Sequence, residues 1–274
     1  MKILSFDAYT LKWIAVIGMI ANHVAIGLGA VLPLGLLIVL YAAGGLTYVI
    51  MAYFVVEGYK HTSNLKKYIG RLFLFGLIAQ AFHPTVLGMT SITGTGFFLN
   101  ILFTIILSLF VLVLYDKIKI RFLFWVLFIV ACVVATFMDL WFVGVLVPLL
   151  YYVIKKEGRR RALPGIVSGI IWGLFGLLSA IMPFIYITTG QFAEEVYAMV
   201  EAQGLAMGVF LAMPFFALGC FLGSILIYNY NGERGKPAKW LFYVAYPVHL
   251  AVIAAVMVLM GIAAFNLYGF ITLG

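Results

Sequence analysis

The lysines and arginines of this chain, seventeen in all, fall in or beside alternate connections of a single ladder of apolar runs. That pattern leaves few folds open. A bilayer core takes about 20 residues of helix to cross. Backbone inside it must satisfy its own hydrogen bonds, which a helix does without outside partners. A lipid-facing β-barrel would alternate apolar and polar residues along each strand, but Phe122–Phe137 is an unbroken apolar run. Only 9% of the 274 residues are charged and 66% are hydrophobic, whereas soluble domains carry roughly a quarter charged residues. The prediction is an all-α, polytopic integral membrane protein of the cell membrane, one domain over 1–274, with the lipid bilayer as its first partner.

The hydropathy pattern predicts nine transmembrane helices, at 8–29, 32–57, 67–88, 97–115, 121–137, 140–154, 162–186, 205–228 and 239–264. A break at Gly44–Gly45 in the second would raise the count to ten. The basic residues then fall into five groups: Lys2 and Lys12; Lys60, Lys66, Lys67 and Arg71; Lys117, Lys119 and Arg121; Lys155, Lys156 and Arg159 to Arg161; and Arg234, Lys236 and Lys239. Nine spans put every group on the side of the N-terminus, which the positive-inside rule makes cytoplasmic. Asp139, Glu194, Glu195 and Glu201 fall on the opposite side. The net charge of +8 therefore encodes orientation and not an affinity for nucleic acid. Cys132 and Cys220 sit inside apolar runs and read as packing thiols. The first run is too long for a signal-peptide core, so it reads as a retained helix. Between Gly190 and Gly204, Phe192, Val196, Met199 and Val200 follow helical spacing. They predict an amphipathic helix on the outer surface, either a plain connector or a lid that draws in a cationic acceptor.

Lys12 and His23 are eleven residues apart. That separation is about 1100° of α-helix, so both side chains share one face about 16 Å apart along the axis. Lys12 sits at the cytoplasmic boundary, where its stem can snorkel, and His23 lies in the outer half of the bilayer. Such a face suits an elongated anion with phosphates at the basic end and a reactive group near the imidazole. Acetyl-coenzyme A has that shape. Imidazole is the side chain best able to take a proton near neutral pH, so beside a thioester it could activate an amine or hydroxyl. The alternative is a packing histidine and a lysine with no ligand. Ionisable groups inside a membrane are costly and tend to face a cavity or a partner.

Further polar residues join this pair. Glu57 and His61 are four apart at the cytoplasmic end of the second span and can pair there. With Lys66, Lys67 and Arg71 they form either a donor mouth or a boundary ion-pair cluster. Arg71 is the stronger phosphate candidate, because its guanidinium binds phosphate as a fork. Asn100 opens the fourth span, as a polar contact to the reacting groups or as interhelical glue. Gln80 and His83 lie one turn apart in the outer half of the third span, where His83 is a substrate-side candidate or, just before Pro84, marks the helix end. Tyr246 and His249 flank Pro247 in the ninth and line the cavity or pack in the core. The four histidines are too scattered for a metal site.

Several ordered stretches carry a resemblance: LKWIAVIGMIANH at 11–23, EGYKHT at 57–62, NILFT at 100–104, YNGERG at 230–235 and KWLFYVAYPVHL at 239–250. Together they resemble the TraX family, membrane proteins named for a conjugative-pilin N-acetylase. The Lys-x10-His spacing also looks like the Arg/Lys-x10-His signature of the wider membrane acyltransferase-3 group. There the histidine is taken as catalytic and an acyl-coenzyme A is the cytoplasmic donor. The resemblance implies His23 as the catalytic residue and Lys12 as its basic companion. Asn22 stands where many TraX-like chains have Asp; an amide orients an imidazole but carries no charge. Gly44–Gly45 stands where a Gly-Arg is usual. The expectation is an acyltransferase that moves an acetyl group from cytoplasmic acetyl-coenzyme A to a peptide amine, a sugar or a small molecule on the outer side. A transporter or flippase, or a non-enzymatic assembly factor for a surface peptide or pilus, are the alternatives.

Overall fold

The computed structural model describes residues 5–87, 98–154, 161–189, 211–237 and 240–262. Among them the α-helices are α1 (Ala8–Leu28), α2 (Leu34–His61), α3 (Leu65–Gln80), α4 (His83–Leu87), α5 (Ile101–Lys117), α6 (Arg121–Ala135), α7 (Trp141–Val153), α8 (Leu163–Thr189), α9 (Phe215–Tyr228) and α10 (Leu241–Leu259). Extended pairing in the described residues is limited to two single bridges, Phe6 with Tyr230 and Leu99 with Met138. Four stretches are long and apolar enough to cross a membrane: Ala8–Val31, Leu34–His61, Leu163–Ile181 and Leu241–Leu259. The helices α6, α7 and α9 are apolar but shorter. One face of α6 points outward with Phe122, Trp125, Ile129 and Val133 exposed, as a lipid-facing surface requires.

Local chemistry sets the helix ends. Asp7 caps α1 by accepting from the Thr10 amide at 2.8 Å, and those bonds hold its carboxyl below the usual carboxylate range. Asn64 caps α3 through the Lys67 amide at 2.9 Å, and Asn100 caps α5 through that of Leu102 at 3.1 Å. Each removes one of the orphan amides of a first turn.

Two expectations are corrected. The third predicted span, 67–88, is two helices, α3 and α4, with a turn between them. Pro84 has no amide to donate to Gln80, where α3 stops. The second span does not break at Gly44–Gly45; α2 runs through both. These glycines are seats for close approach. A Cβ on Gly44 would strike Asn22, and one on Gly45 would strike the Phe216 carbonyl of α9. From the other side, Gly219 faces the Ala42 carbonyl and Gly223 the Leu46 carbonyl. Gly219 and Gly223 form the small-xxx-small pattern that lets membrane helices meet backbone to backbone. Gly219→Leu should therefore lower stability by about 1–3 kcal/mol or more. A drop in the thermal midpoint of detergent-purified protein, with helicity kept at low temperature, is the check.

Polar contacts collect at two ends of the bundle. At one end Tyr59 and Tyr152 both donate to Asp116, at 2.8 and 2.7 Å, joining the C-terminal ends of α2, α5 and α7. Arg121 lies over the Tyr115 ring, and Arg161 donates to the Tyr230 carbonyl at 3.0 Å. The loop after α9 is tied to the start of α1: the Asn231 amide donates to Phe6 and the Ala8 amide to Glu233, at 2.9 and 2.8 Å. Gly232 and Gly235 take positive φ of 89° and 63° there, which suits glycine. The YNGERG stretch is thus a tight turn that docks beside Lys12. At the other end, Gln80, His83, Asn100 and Asp139 bond to one another or to nearby backbone. The amphipathic helix predicted between Gly190 and Gly204 lies outside the described residues, as do Lys155 to Arg160 and Lys239.

Candidate functional site

Two cavities meet inside the bundle. The inner one, about 150 Å³, is lined by Asn22 and His23 from α1, by Gly44, Thr47, Tyr48 and Met51 from α2, and by Asp139 and Tyr246 among others. The second is a vestibule of about 600 Å³. Lys12, Glu57, His61, Arg71, Arg234 and Lys236 bring charge to its lining, and Phe54, Tyr68, Tyr230 and Tyr243 bring rings. Met51, Val55 and Ile105 line both cavities, so they form the apolar boundary between them. The vestibule lining holds four Lys/Arg cations (Lys12, Arg71, Arg234, Lys236) against one carboxylate, Glu57. It is electropositive whether or not His61 is charged.

Sequence periodicity placed Lys12 and His23 on one face, and each opens into one of these two spaces. His23 is buried, and its Nδ1 lies 2.9 Å from the Met19 carbonyl oxygen. A carbonyl only accepts, so Nδ1 carries the proton and Nε2 keeps its lone pair. The His249 ring packs against it, with centroids 4.7 Å apart at 69°, and Tyr246 closes the triangle at 5.9 Å from His23 and 5.4 Å from His249. His249 Nδ1 lies 2.8 Å from the Ala245 carbonyl oxygen, so it too donates, which leaves a buried Nε2 with no partner. Tyr246 OH and Asn22 Nδ2 are likewise buried without a hydrogen bond. Buried polar atoms are usually satisfied, so these three concentrate unused hydrogen-bonding capacity around His23.

In the vestibule, Lys12 Nζ lies 5.3 Å from the centre of the Phe54 ring, and the Arg71 guanidinium lies 5.6 Å from that of Tyr243. Arg71 Nε is buried with no acceptor. Glu57 pairs with Lys60 at 3.4 Å and His61 at 3.5 Å, the spacing expected from their helix positions. Tyr230 also lines this space, and its burial pushes the phenol up from its ordinary range.

Other expected residues stand elsewhere. Asn100 lines neither cavity: its side chain donates to the Gly76 carbonyl and Gln80 Oε1, both at 2.8 Å, and caps α5. It joins α3 to α5, with both amide hydrogens committed there. Lys67 is exposed and outside the vestibule lining. His83 is fully buried and bonds Asp139 Oδ2 at 3.0 Å, so it reaches the inner cavity through that carboxylate. Cys220 is buried and Cys132 half-buried, and neither is in a disulfide.

Sequence reasoning missed Asp139, Arg234, Lys236 and the apolar boundary between the cavities. Asp139 reads as an acid in an outer connection. One signal was available: the connection between α6 and α7 is too short to carry a carboxylate clear of the helix ends.

The family model described as TraX protein matches residues 7–257. The chain belongs to the TraX family. The matched range contains every residue that lines the two cavities, so the site is built wholly within the TraX region. Similarity also extends to a protein from Dichelobacter nodosus described as probable fimbrial assembly protein FimC, serogroup H1. The two are 27% identical over 277 residues, covering 92% of this TraX chain and 96% of the relative. No solved structure matches.

Proposed function

We propose that this TraX protein is a membrane acyltransferase of nine spans with a cytoplasmic N-terminus, using acetyl-coenzyme A as donor. The observation that carries the reading is the pair of abutting cavities, cationic on one side of the Met51–Val55–Ile105 boundary and holding an imidazole with a free Nε2 on the other. Phosphates of the donor bind Lys12, Arg71 and Arg234. Its thin arm passes between Met51, Val55 and Ile105, which then serve as a throat, and brings the thioester to His23. An inner cavity of about 150 Å³ suits a short acyl group better than a long chain.

In this mechanism His23 Nε2 takes the proton of an acceptor N–H or O–H as that atom attacks the thioester carbon. The Asn22 amide, unpartnered in the same cavity, donates to the oxygen that becomes negative. The C–S bond then breaks, and the imidazolium proton goes to the departing thiolate.

Lys12→Ala and Arg71→Ala should each weaken binding of coenzyme A about ten- to a hundredfold, the value of a charge-assisted hydrogen bond. Calorimetry on nanodisc-reconstituted protein measures this; unchanged affinity in both removes the vestibule from donor binding. The reaction itself is tested by incubating purified protein with radiolabelled acetyl-coenzyme A and peptide amines, sugars or small amines. Label on an acceptor from the wild type and none from His23→Ala supports the reading. Equal labelling from both overturns it.

A second reading is favoured by the name of the Dichelobacter relative: assembly of a surface fibre. If that role is non-enzymatic, a Lys12/His23 double substitution leaves fibre assembly intact. If assembly depends on acylation, the same substitution stops it.

A further inference from the structure

We propose that Asp139 is the counter-charge of His23, the carboxylate that stabilises the ring when it becomes positive. It is a positioning residue that acts through His23 and does not touch the donor. The kinetic part of this assignment rests on the acyl-transfer reading above; the electrostatic part does not.

Asp139 and His23 line the same inner cavity. The Asp139 side chain is 18% exposed, against 1% for His83. It is held from several directions. Its amide donates to the Leu99 carbonyl at 3.0 Å. Its own carbonyl accepts from Thr104 Oγ1 at 2.9 Å. His83 Nε2 donates to Oδ2 at 3.0 Å. The chain then passes through two consecutive left-handed residues that are not glycine, Leu140 at φ 64° and Trp141 at φ 47°. Bulky side chains rarely adopt that region, and such strain persists where the surroundings impose it, often at functional sites. Here it lets α7 begin at once while Asp139 faces inward.

His23 needs such a partner. The residue before it is Asn22, which carries no charge. The titratable groups around the ring are Tyr48 from α2, His83 from α4, Tyr246 and His249 from α10, and Asp139. Of these, Asp139 is the one carboxylate, and it lines the same cavity as the ring. In the reaction, Nε2 gains a proton from the acceptor while Nδ1 keeps its own on the Met19 carbonyl. The ring holds one positive charge until the thiolate takes that proton. Asp139 offsets the charge throughout and neither gains nor loses a proton. Removing a nearby opposite charge disfavours the charged form of its neighbour.

The test uses full-length protein in nanodiscs with ¹⁵N-labelled histidine. Asp139→Asn keeps an acceptor for His83 but removes the charge. At each pH along a titration its His23 ring should hold less imidazolium than the wild type. Adding Asn22→Asp should restore it, because a carboxylate then again lines the same cavity as the ring. In the transfer assay, Asp139→Asn should lower kcat about tenfold or more with donor affinity unchanged, and Asp139→Glu should recover part of it. Equal imidazolium in wild type and Asp139→Asn overturns the proposal, as does failure of Asn22→Asp to restore it in protein that stays folded. A loss of imidazolium in protein whose wild type transfers no acetyl keeps the Asp139 assignment and removes the acyl-transfer reading.

Discussion

His23→Ala lowers acyl transfer by about 10²- to 10⁴-fold, the range for loss of a positioned general base, while coenzyme A still binds with wild-type affinity. The two effects separate because of where the residues stand. His23 lines the inner cavity, and the cations line the vestibule. Removing the imidazole leaves every vestibule contact in place. It also takes away the Nδ1 bond to Met19, but α1 keeps its helical bonds there and its packing against Gly44 through Asn22. The substitution should therefore change kcat and spare the donor's dissociation constant. Single-turnover kinetics with radiolabelled donor, beside equilibrium binding, measures both. A fall in affinity equal to the fall in rate would mean that His23 binds the donor and does not activate the acceptor.

Blocking the throat is the second large effect. Met51 sits on α2 between the two cavities, with Val55 one turn on and Ile105 opposite from α5. Met51→Trp fills the opening with a rigid ring. The pantetheine arm can then no longer place the thioester beside His23. Transfer should fall by about 10²-fold or more, since misplacement of about 1 Å already costs that much, and phosphate contacts in the vestibule should survive. Met51→Ala widens the same opening and should let longer acyl donors compete with acetyl. A Met51→Trp enzyme of full rate would mean that the donor reaches His23 by another route.

How much of this was legible in the chain depends on the range of each contact. The Lys12–His23 face was readable because helical periodicity is local: one turn rule fixes both side chains. So was the Glu57–His61 pair. Tyr246 and His249 could be placed on α10, but not against His23, since that packing joins residues more than two hundred apart. Asn100 was ambiguous for a related reason. Its sequence position marks a helix start, and only its contacts with Gly76 and Gln80 reveal that its amide is committed to holding α3 and α5 together. Arg234 joins the vestibule because the 230–235 turn docks on Phe6 and Ala8, a pairing no local pattern encodes. Gly44–Gly45 suggested a break because glycine weakens helices, yet packing against α1 and α9 outweighs that preference. Asp139 was hidden in the same way. An acid between two apolar runs looks like a surface marker until the turn at Leu140 and Trp141 directs it inward.

The most direct measurement is a cryo-EM map of the protein in nanodiscs with a non-hydrolysable acetyl-coenzyme A analogue. The account predicts phosphates among Lys12, Arg71 and Arg234, the arm between Met51 and Ile105, and the acyl carbonyl beside His23 and Asn22. An analogue seated in the vestibule with its arm turned away from a closed throat, or bound elsewhere on the bundle, would contradict it.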